Sequence, residues 1–319
     1  MRSLGTCAGG VMMKGVSQLA FGLCVMLLSI SPTVAQTGPP AQKLPSAYVV
    51  LPLVDSRASK CPTCDTRIEL VNLSANPIDL QCFYVIGDET CNEIGFFLSL
   101  SPFQPVSWLA SKGFNDTTTF SRIPPFFGEG EMKCAVLAAR PELEFHNALQ
   151  GRAIIFDSTG LTIDYSATAF RRLSEGDFNS TLQLNGIDYE QCPDKLHFIM
   201  LGEVPGDSES ELVLVPCTQD LLNQIPTKPN VQFTIINEFE TAFSASIRFK
   251  CSARLSLTEI SDTLSRATLG SLTAHLIVRG SSFSLVGLAI DDFTFGGAPM
   301  TSANDPSFQG GRSATVTLP

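Results

Sequence analysis

Two cysteines at close spacing, Cys61-Pro62-Thr63-Cys64, are the sharpest chemical signal in this 319-residue chain. Thiols so placed exchange disulfides when a helix N-terminus acidifies the first of them. Here a β-rich run at 67–73 follows almost at once. The dipole is therefore missing, and a structural bridge in a β–β loop is expected. Asp65 stands where haem attachment needs a histidine, and a four-thiolate zinc site would need a second close pair.

The other candidates are weaker. His146, His197 and His275 stand far apart, without His-Glu-x-x-His or paired-His spacing. Surface or satisfied-core roles are expected, with convergence of a distant pair left open. Gly-x-Ser-x-Gly is absent. Asp157-Ser158-Thr159-Gly160 shares residues with the aspartic-protease loop, but its glycine is displaced by one and it has no second copy. A hairpin turn explains it better. Asp207, Glu209 and Glu211 offer calcium oxygens without ordered spacing and read as a solvated hairpin tip. Asn72, Asn115 and Asn179 head formal glycosylation sequons, as many as chance supplies. Dispersed carboxylates (Asp164, Glu190, Asp291, Asp292) are conceivable members of a hydrolytic pair, which needs two carboxyl groups about 5–10 Å apart in a cleft. Phe126 and Phe127 lie in an apolar segment, 123–128. Exposed, they would contact a partner; packed, they plug a sandwich end, the reading preferred here. Trp108 would join them as a contact residue, or serve a sugar, only if it lies flat on the surface. No catalytic residue, metal ligand or cofactor is assigned.

The elements that must position these residues are strands. Short β-rich runs alternate with turn residues at 48–54, 67–73, 78–86, 96–100, 106–110, 132–138, 152–156 and 161–167. A second series occupies 196–201, 211–216, 231–237, 244–250, 253–257, 274–279 and 283–290. This spacing is that of sandwiches, not of alternating helices and strands. Helical turns are expected only at 220–225 and 257–264. The expected fold is all-β, with two tandem antiparallel immunoglobulin-like sandwiches at 47–172 and 196–293. A connector at 173–195 joins them, and 294–319 reads as a flexible tail with a strand at its end. Val50-Leu51-Pro52 and Leu214-Val215-Pro216 are followed, 20 and 21 positions on, by Asn72 and Asn237. Each asparagine closes a β run, which suggests an internal repeat.

Ahead of the strands, Met13-Lys14, an apolar run at 19–30, and Thr33 and Ala35 before Gln36 form a secretory signal pattern. The run is shorter than the roughly 20 residues of a membrane span, so cleavage after Ala35 is expected. Translation starts at Met1, Met12 or Met13. Phe21-Gly22-Leu23 before Cys24 lacks the small residues of a lipid-attachment site. Residues 36–46 are a Pro-rich linker. Cleavage removes Arg2 and Lys14 and no acid from 21 Lys and Arg against 31 Asp and Glu, leaving a net charge of −12. Such a chain is a poor ligand for nucleic acid or anionic membrane. Its 22 Phe against one Trp and four Tyr suit cores more than sugar platforms.

Cys61, Cys64, Cys82, Cys91, Cys134, Cys192, Cys217 and Cys251 remain after cleavage and read as a disulfide framework. Cys82 with Cys91 across a polar turn, and Cys192 with Cys217 across a hairpin, are the plausible local pairs. Cys82-Phe83-Tyr84, Phe97-Leu98 through Gln104-Pro105 to Trp108, and Gly130-Glu131-Met132-Lys133-Cys134 together resemble a pattern in exported bacterial proteins built from β-sandwich units. The resemblance covers about a third of the chain and implies a bacterial, extracytoplasmic product (periplasmic, surface or released), with no activity attached. The expected function is a non-enzymatic structural, adhesion or assembly role, with a protein or cell-surface component as partner. The alternatives are an exported hydrolase and a carbohydrate-binding module.

Overall fold

The computed structural model describes residues 44–57, 63–88, 90–116, 121–137, 147–156, 160–174, 180–202, 204, 208–295 and 297–319. The export signal, most of the linker, Cys61, His146, Asp157, Ser158, Thr159, Asn179 and Asp207 lie outside the described residues.

The described chain is all-β. Its first strands are β1 (Tyr48–Asp55), β2 (Asp65–Asn72), β3 (Ile78–Ile86), β4 (Glu93–Leu100) and β5 (Pro105–Leu109). The short β6 (Phe114–Asp116) and β7 (Ser121–Ile123) precede β8 (Glu129–Leu137), β9 (Leu149–Phe156), β10 (Thr162–Ser166) and β11 (Thr168–Phe170). Then come β12 (Thr181–Leu184), β13 (Cys192–Leu201), β14 (Ser208–Pro216), β15 (Gln219–Asp220), β16 (Asn230–Asn237), β17 (Ala242–Arg248) and β18 (Ala253–Ser256). Two one-turn helices, α1 (Leu257–Ile260) and α2 (Arg266–Leu269), lead to β19 (Thr273–Gly280), β20 (Leu285–Phe295), β21 (Ala298–Asn304), β22 (Ser307–Arg312) and β23 (Ala314–Thr317).

Four larger sheets carry the fold, in the orders β11-β1-β8-β3-β4, β10-β9-β2-β5, β18-β14-β20-β21 and β17-β16-β19-β13-β22. β12-β23-β15 and β6-β7 are smaller sheets. All recorded strand pairings are antiparallel except β15 with β23. Two of the larger sheets are outer sheets, whose strands alternate. In β2, Ile68 and Leu70 point inward while Arg67 and Glu69 face solvent. The inner strands do not alternate. All eight residues of β1 are buried, as are Leu212 to Pro216 of β14 and Leu285 to Asp291 of β20. A strand covered on both faces needs apolar residues at successive positions. Val-Val-Leu-Pro-Leu-Val in β1, Leu-Val-Leu-Val-Pro in β14 and Leu-Val-Gly-Leu-Ala-Ile in β20 supply them.

These inner strands decide how the core divides. Val213, Val215, Val286, Leu288 and Ile290 join one cluster with β1, β3 and β8, and that cluster runs on to Leu318. Leu212, Leu214, Leu285 and Ala289, from the other faces of the same strands, join a second cluster with β13, β16 and β19. Each of these buried Val, Leu and Ile side chains contributes about 1.5–3 kcal/mol. The sheet containing β14 and β20 is therefore a wall shared by two cores.

Three expectations change. Within 294–319, where a flexible tail is expected, lie the end of β20 and the strands β21 to β23, since β21 pairs with β20, β22 with β13 and β23 with β12. Residues 220–225 are not helical: β15 is followed by a turn in which Asn223 donates to the Asp220 carboxylate. Cys82 bonds Cys134, its direct partner across β3 and β8, and not Cys91. Cys91 lies beyond the hairpin end at Ile86, four residues from Cys82, or about 13 Å along a strand. The helical turn expected near 257 is present as α1, where Ser256 and Glu259 form a capping box.

Candidate functional site

Cys192 bonds Cys217, the expected pair, but β13 and β14 belong to different sheets, so the bond staples two layers rather than closing a hairpin. Cys91 bonds Cys251 and joins the β3–β4 turn to the segment before β18. Cys64 is also disulfide-bonded. This degree of bonding fits an oxidising compartment.

The carboxylates proposed for hydrolysis do not converge as a set. Glu190 is buried and accepts from the backbone of Arg171 at 2.9 Å. Asp291 and Asp292 are successive residues of β20 and so face opposite ways. Burial pushes the Asp291 carboxyl up, against bonds from Ser210 and Asn304. Thr301 donates to Asp292. Glu211, offered as a calcium ligand, instead binds Arg254, and Glu209 lies two residues before it on β14, opposite Asp292. Among the described residues no group of three or more His, Cys, Asp or Glu is arranged to hold a metal ion.

Of these four, Asp164 is tied only through Arg152 to a concave site, a groove of about 540 Å³ on the solvent face of the β10-β9-β2-β5 sheet, which it does not itself line. Strand alternation turns Arg67, Glu69, Ser107 and Arg152 into it. Arg152 donates to Glu69 at 2.7 Å and lies 3.4 Å from Asp164, while Arg67 binds Glu69 at 2.8 Å. Each carboxylate is thus held by a guanidinium. That arrangement suits polar recognition better than proton transfer, because a general base needs an oxygen aimed at substrate.

Trp108 is buried, its indole N–H donating to the Tyr84 hydroxyl at 2.7 Å, and Tyr84 stacks on Phe126. Phe126 is fully buried, so the 123–128 segment is a plug at that residue, whereas Phe127 is 66% exposed. Of the three contact candidates only Phe127 reaches the surface, and the sugar-platform reading loses its tryptophan.

The most heavily engaged polar groups lie where the two inner sheets meet. Lys133 and Glu131 are both fully buried and 2.8 Å apart. Lys133 also donates to the carbonyl of Pro216 at 3.2 Å and to Gln219. Glu131 keeps one oxygen without a hydrogen-bond partner, and burial pushes its carboxyl up against the pull of Lys133. Beside it Glu93 is pushed up to about 7, first by burial, with Lys133 opposing. Nearby, Arg254 binds Asp55 at 3.1 Å, Glu129 at 2.9 Å and Glu211 at 2.5 Å, and Arg57 binds Asp55 and Glu129 from the other side. Burial raises Asp55, but Arg57 and Arg254 outweigh it and hold the carboxyl below its usual range. These residues were not singled out from sequence as a site. The available signal was the i, i+2 spacing of Glu131 and Lys133, which puts both on one strand face.

His197 and His275 do converge. They project from neighbouring strands β13 and β19, with His197 Nδ1 3.1 Å from His275 Nε2 and His197 Nε2 3.1 Å from Gln309 Oε1.

Neither a family model nor a curated protein matches the chain. The chain is similar to the crystal structure of Thermotoga maritima 1070 at 11% identity and a TM-score of 0.28, over 38% of this chain and 98% of that one.

Proposed function

We propose that this is an exported, non-enzymatic protein in which two tandem immunoglobulin-like β-sandwiches act as one rigid structural or assembly module at the cell surface or outside it. On this reading β11-β1-β8-β3-β4 over β10-β9-β2-β5 is the first sandwich. The second is β18-β14-β20-β21 over β17-β16-β19-β13-β22. The observation that carries it is the seam between the inner sheets. There the Cys91–Cys251 bond, the Arg254 ion cluster and the buried Lys133–Glu131 pair are all used to hold layers together. Charges used on such a seam serve rigidity, and among the described residues Asp164, Glu190, Asp291 and Asp292 do not come together as one acid–base site. The recognition surface is then the outer groove between Arg67 and Arg152, suited to a protein or cell-surface component bearing both charges.

The test is mass spectrometry on the full chain, exported by a bacterial host and alkylated before reduction. A mature N-terminus near Gln36 with no alkylated cysteine is the expected result. Retention of residues 1–35 in the cytoplasm with Cys91 and Cys251 alkylated would sink the exported-module reading. Hydrolysis of an ester or glycoside substrate that is lost in D164N would replace it with the enzyme.

A further inference from the structure

Independently of that role, we propose that His197 and His275 form a solvent-open chelate for a borderline divalent cation (Zn²⁺, Ni²⁺ or Cu²⁺), with Gln309 as the residue that orients it. The two histidines lie on the solvent face of the β17-β16-β19-β13-β22 sheet. They sit diagonally, since His197 pairs with Ile277 and His275 with Ile199. Their inward neighbours Leu196, Phe198, Ala274 and Leu276 are buried, which fixes the strands that carry the rings.

Three features make this a chelate and not two surface side chains. First, ligand bonds of about 2.0–2.1 Å at a near-tetrahedral angle separate two imidazole nitrogens by about 3.3–3.4 Å, and the observed separation is 3.1 Å. Second, the Gln309 carbonyl oxygen accepts from His197 Nε2–H, which leaves the Nδ1 lone pair turned toward His275. A metal-bound histidine characteristically donates its other N–H to such an oxygen. Third, two facing nitrogens at this distance hold one proton between them.

The ligand type selects the ion. Imidazole nitrogen suits Zn²⁺, Ni²⁺ and Cu²⁺, whereas Ca²⁺ and Mg²⁺ need oxygen. When the neutral pair takes up a cation, the Nε2 proton of His275 moves through solvent to its own Nδ1 and no net proton is lost. When one ring is protonated, one proton is released, so affinity falls at acid pH. The charged residues on the same face are Lys195, two residues from His197 on β13, Arg279 on β19 and Arg248 at the end of β17. The acids recorded beside them are Asp194, which binds Arg279 and Arg312, and Glu238, which accepts from Thr273 two residues before His275. The lysine opposes the cation, and two protein ligands leave the remaining coordination positions to water.

The experiment is calorimetric titration of the untagged mature chain with ZnCl₂ and NiCl₂, with Cu²⁺ electron paramagnetic resonance as the structural readout. One equivalent should bind, with hyperfine coupling to two imidazole nitrogens, and CaCl₂ should give no heat. H197Q and H275Q should each weaken binding at least about tenfold, and Q309L by about 10–100-fold as an outer-shell change. K195Q should tighten it, which keeps the test valid if a histidine variant disturbs the sheet. Binding unchanged in H275Q, or no binding by the wild-type chain, overturns the proposal.

Discussion

Lys133 shows what a single residue does in this interior. A buried ion pair is a weak stabiliser, but removing one member strands the other, at a cost of about 3–5 kcal/mol. K133M should therefore destabilise by that amount, read as a fall in the urea midpoint. E131M/K133M, which removes both charges, should recover most of the loss; a K133M cost below about 1 kcal/mol would mean that water reaches Glu131. Glu93 gives the pH dependence. Its carboxyl titrates near 7 in the fold against an ordinary 4.5, so between those values the folded chain holds a proton that the unfolded chain has lost. Its contribution is fully present below about pH 4.5 and is lost as pH rises through 7. E93Q should flatten that decline and raise Tm at pH 8 by about 2–4 °C, the equivalent of about 1 kcal/mol once partial exposure is allowed for. A pH profile parallel to wild type would remove Glu93 from the account.

At the scale of the element, the two asparagines flagged by self-similarity do the same work. Asn72 accepts from Ser74 N–H at the end of β2 and donates to the buried carbonyl of Leu100 at 3.4 Å and to that of Ser101 at 2.9 Å. Asn237 accepts from Phe239 and Thr241 at the end of β16 and donates to the carbonyl of Leu269. Each turns a strand end back on itself while satisfying buried carbonyls. N72A and N237A should each cost about 1–3 kcal/mol in chemical unfolding, the penalty for orphaned buried groups; N237D, which keeps the acceptor but loses the donor, should fall between. β3 was legible to the residue, 78–86, because its β-rich apolar run from Cys82 to Ile86 is bounded by turn residues, Asn76-Pro77 before the strand and Gly87-Asp88 after it. β21 and β22 were not, because Ala298–Asn304 and Ser307–Arg312 are edge strands of mostly small and polar residues, with neither an apolar run nor an alternating pattern to mark them. Cysteine partners failed where they depend on register: Cys82 meets Cys134 because β8, not the local turn, lies beside β3. The histidine pair was illegible for the same reason, since 78 residues separate side chains that neighbouring strands bring together.

For the whole molecule, the shared wall of β14 and β20 sets the cooperativity. Alternate residues of each strand feed different hydrophobic clusters, so neither cluster keeps its wall if the other unfolds. A single heat-capacity peak is expected despite the chain's length, because two-state behaviour fails where cores are separable. The Cys91–Cys251 bond spans 160 positions and restricts the unfolded chain across this seam. C91S/C251S should lower stability by about 2–5 kcal/mol, yet the peak should stay single, because the wall and the Arg254 cluster persist without the bond. R254M in that background removes the cation that Asp55, Glu129 and Glu211 share and leaves three carboxylates in mutual repulsion. The loss should exceed the sum of the separate variants if bond and cluster hold the same seam, since groups that act on one contact do not add. Two resolved peaks in C91S/C251S alone would show that the disulfide, and not the double use of β14 and β20, makes the molecule one cooperative body.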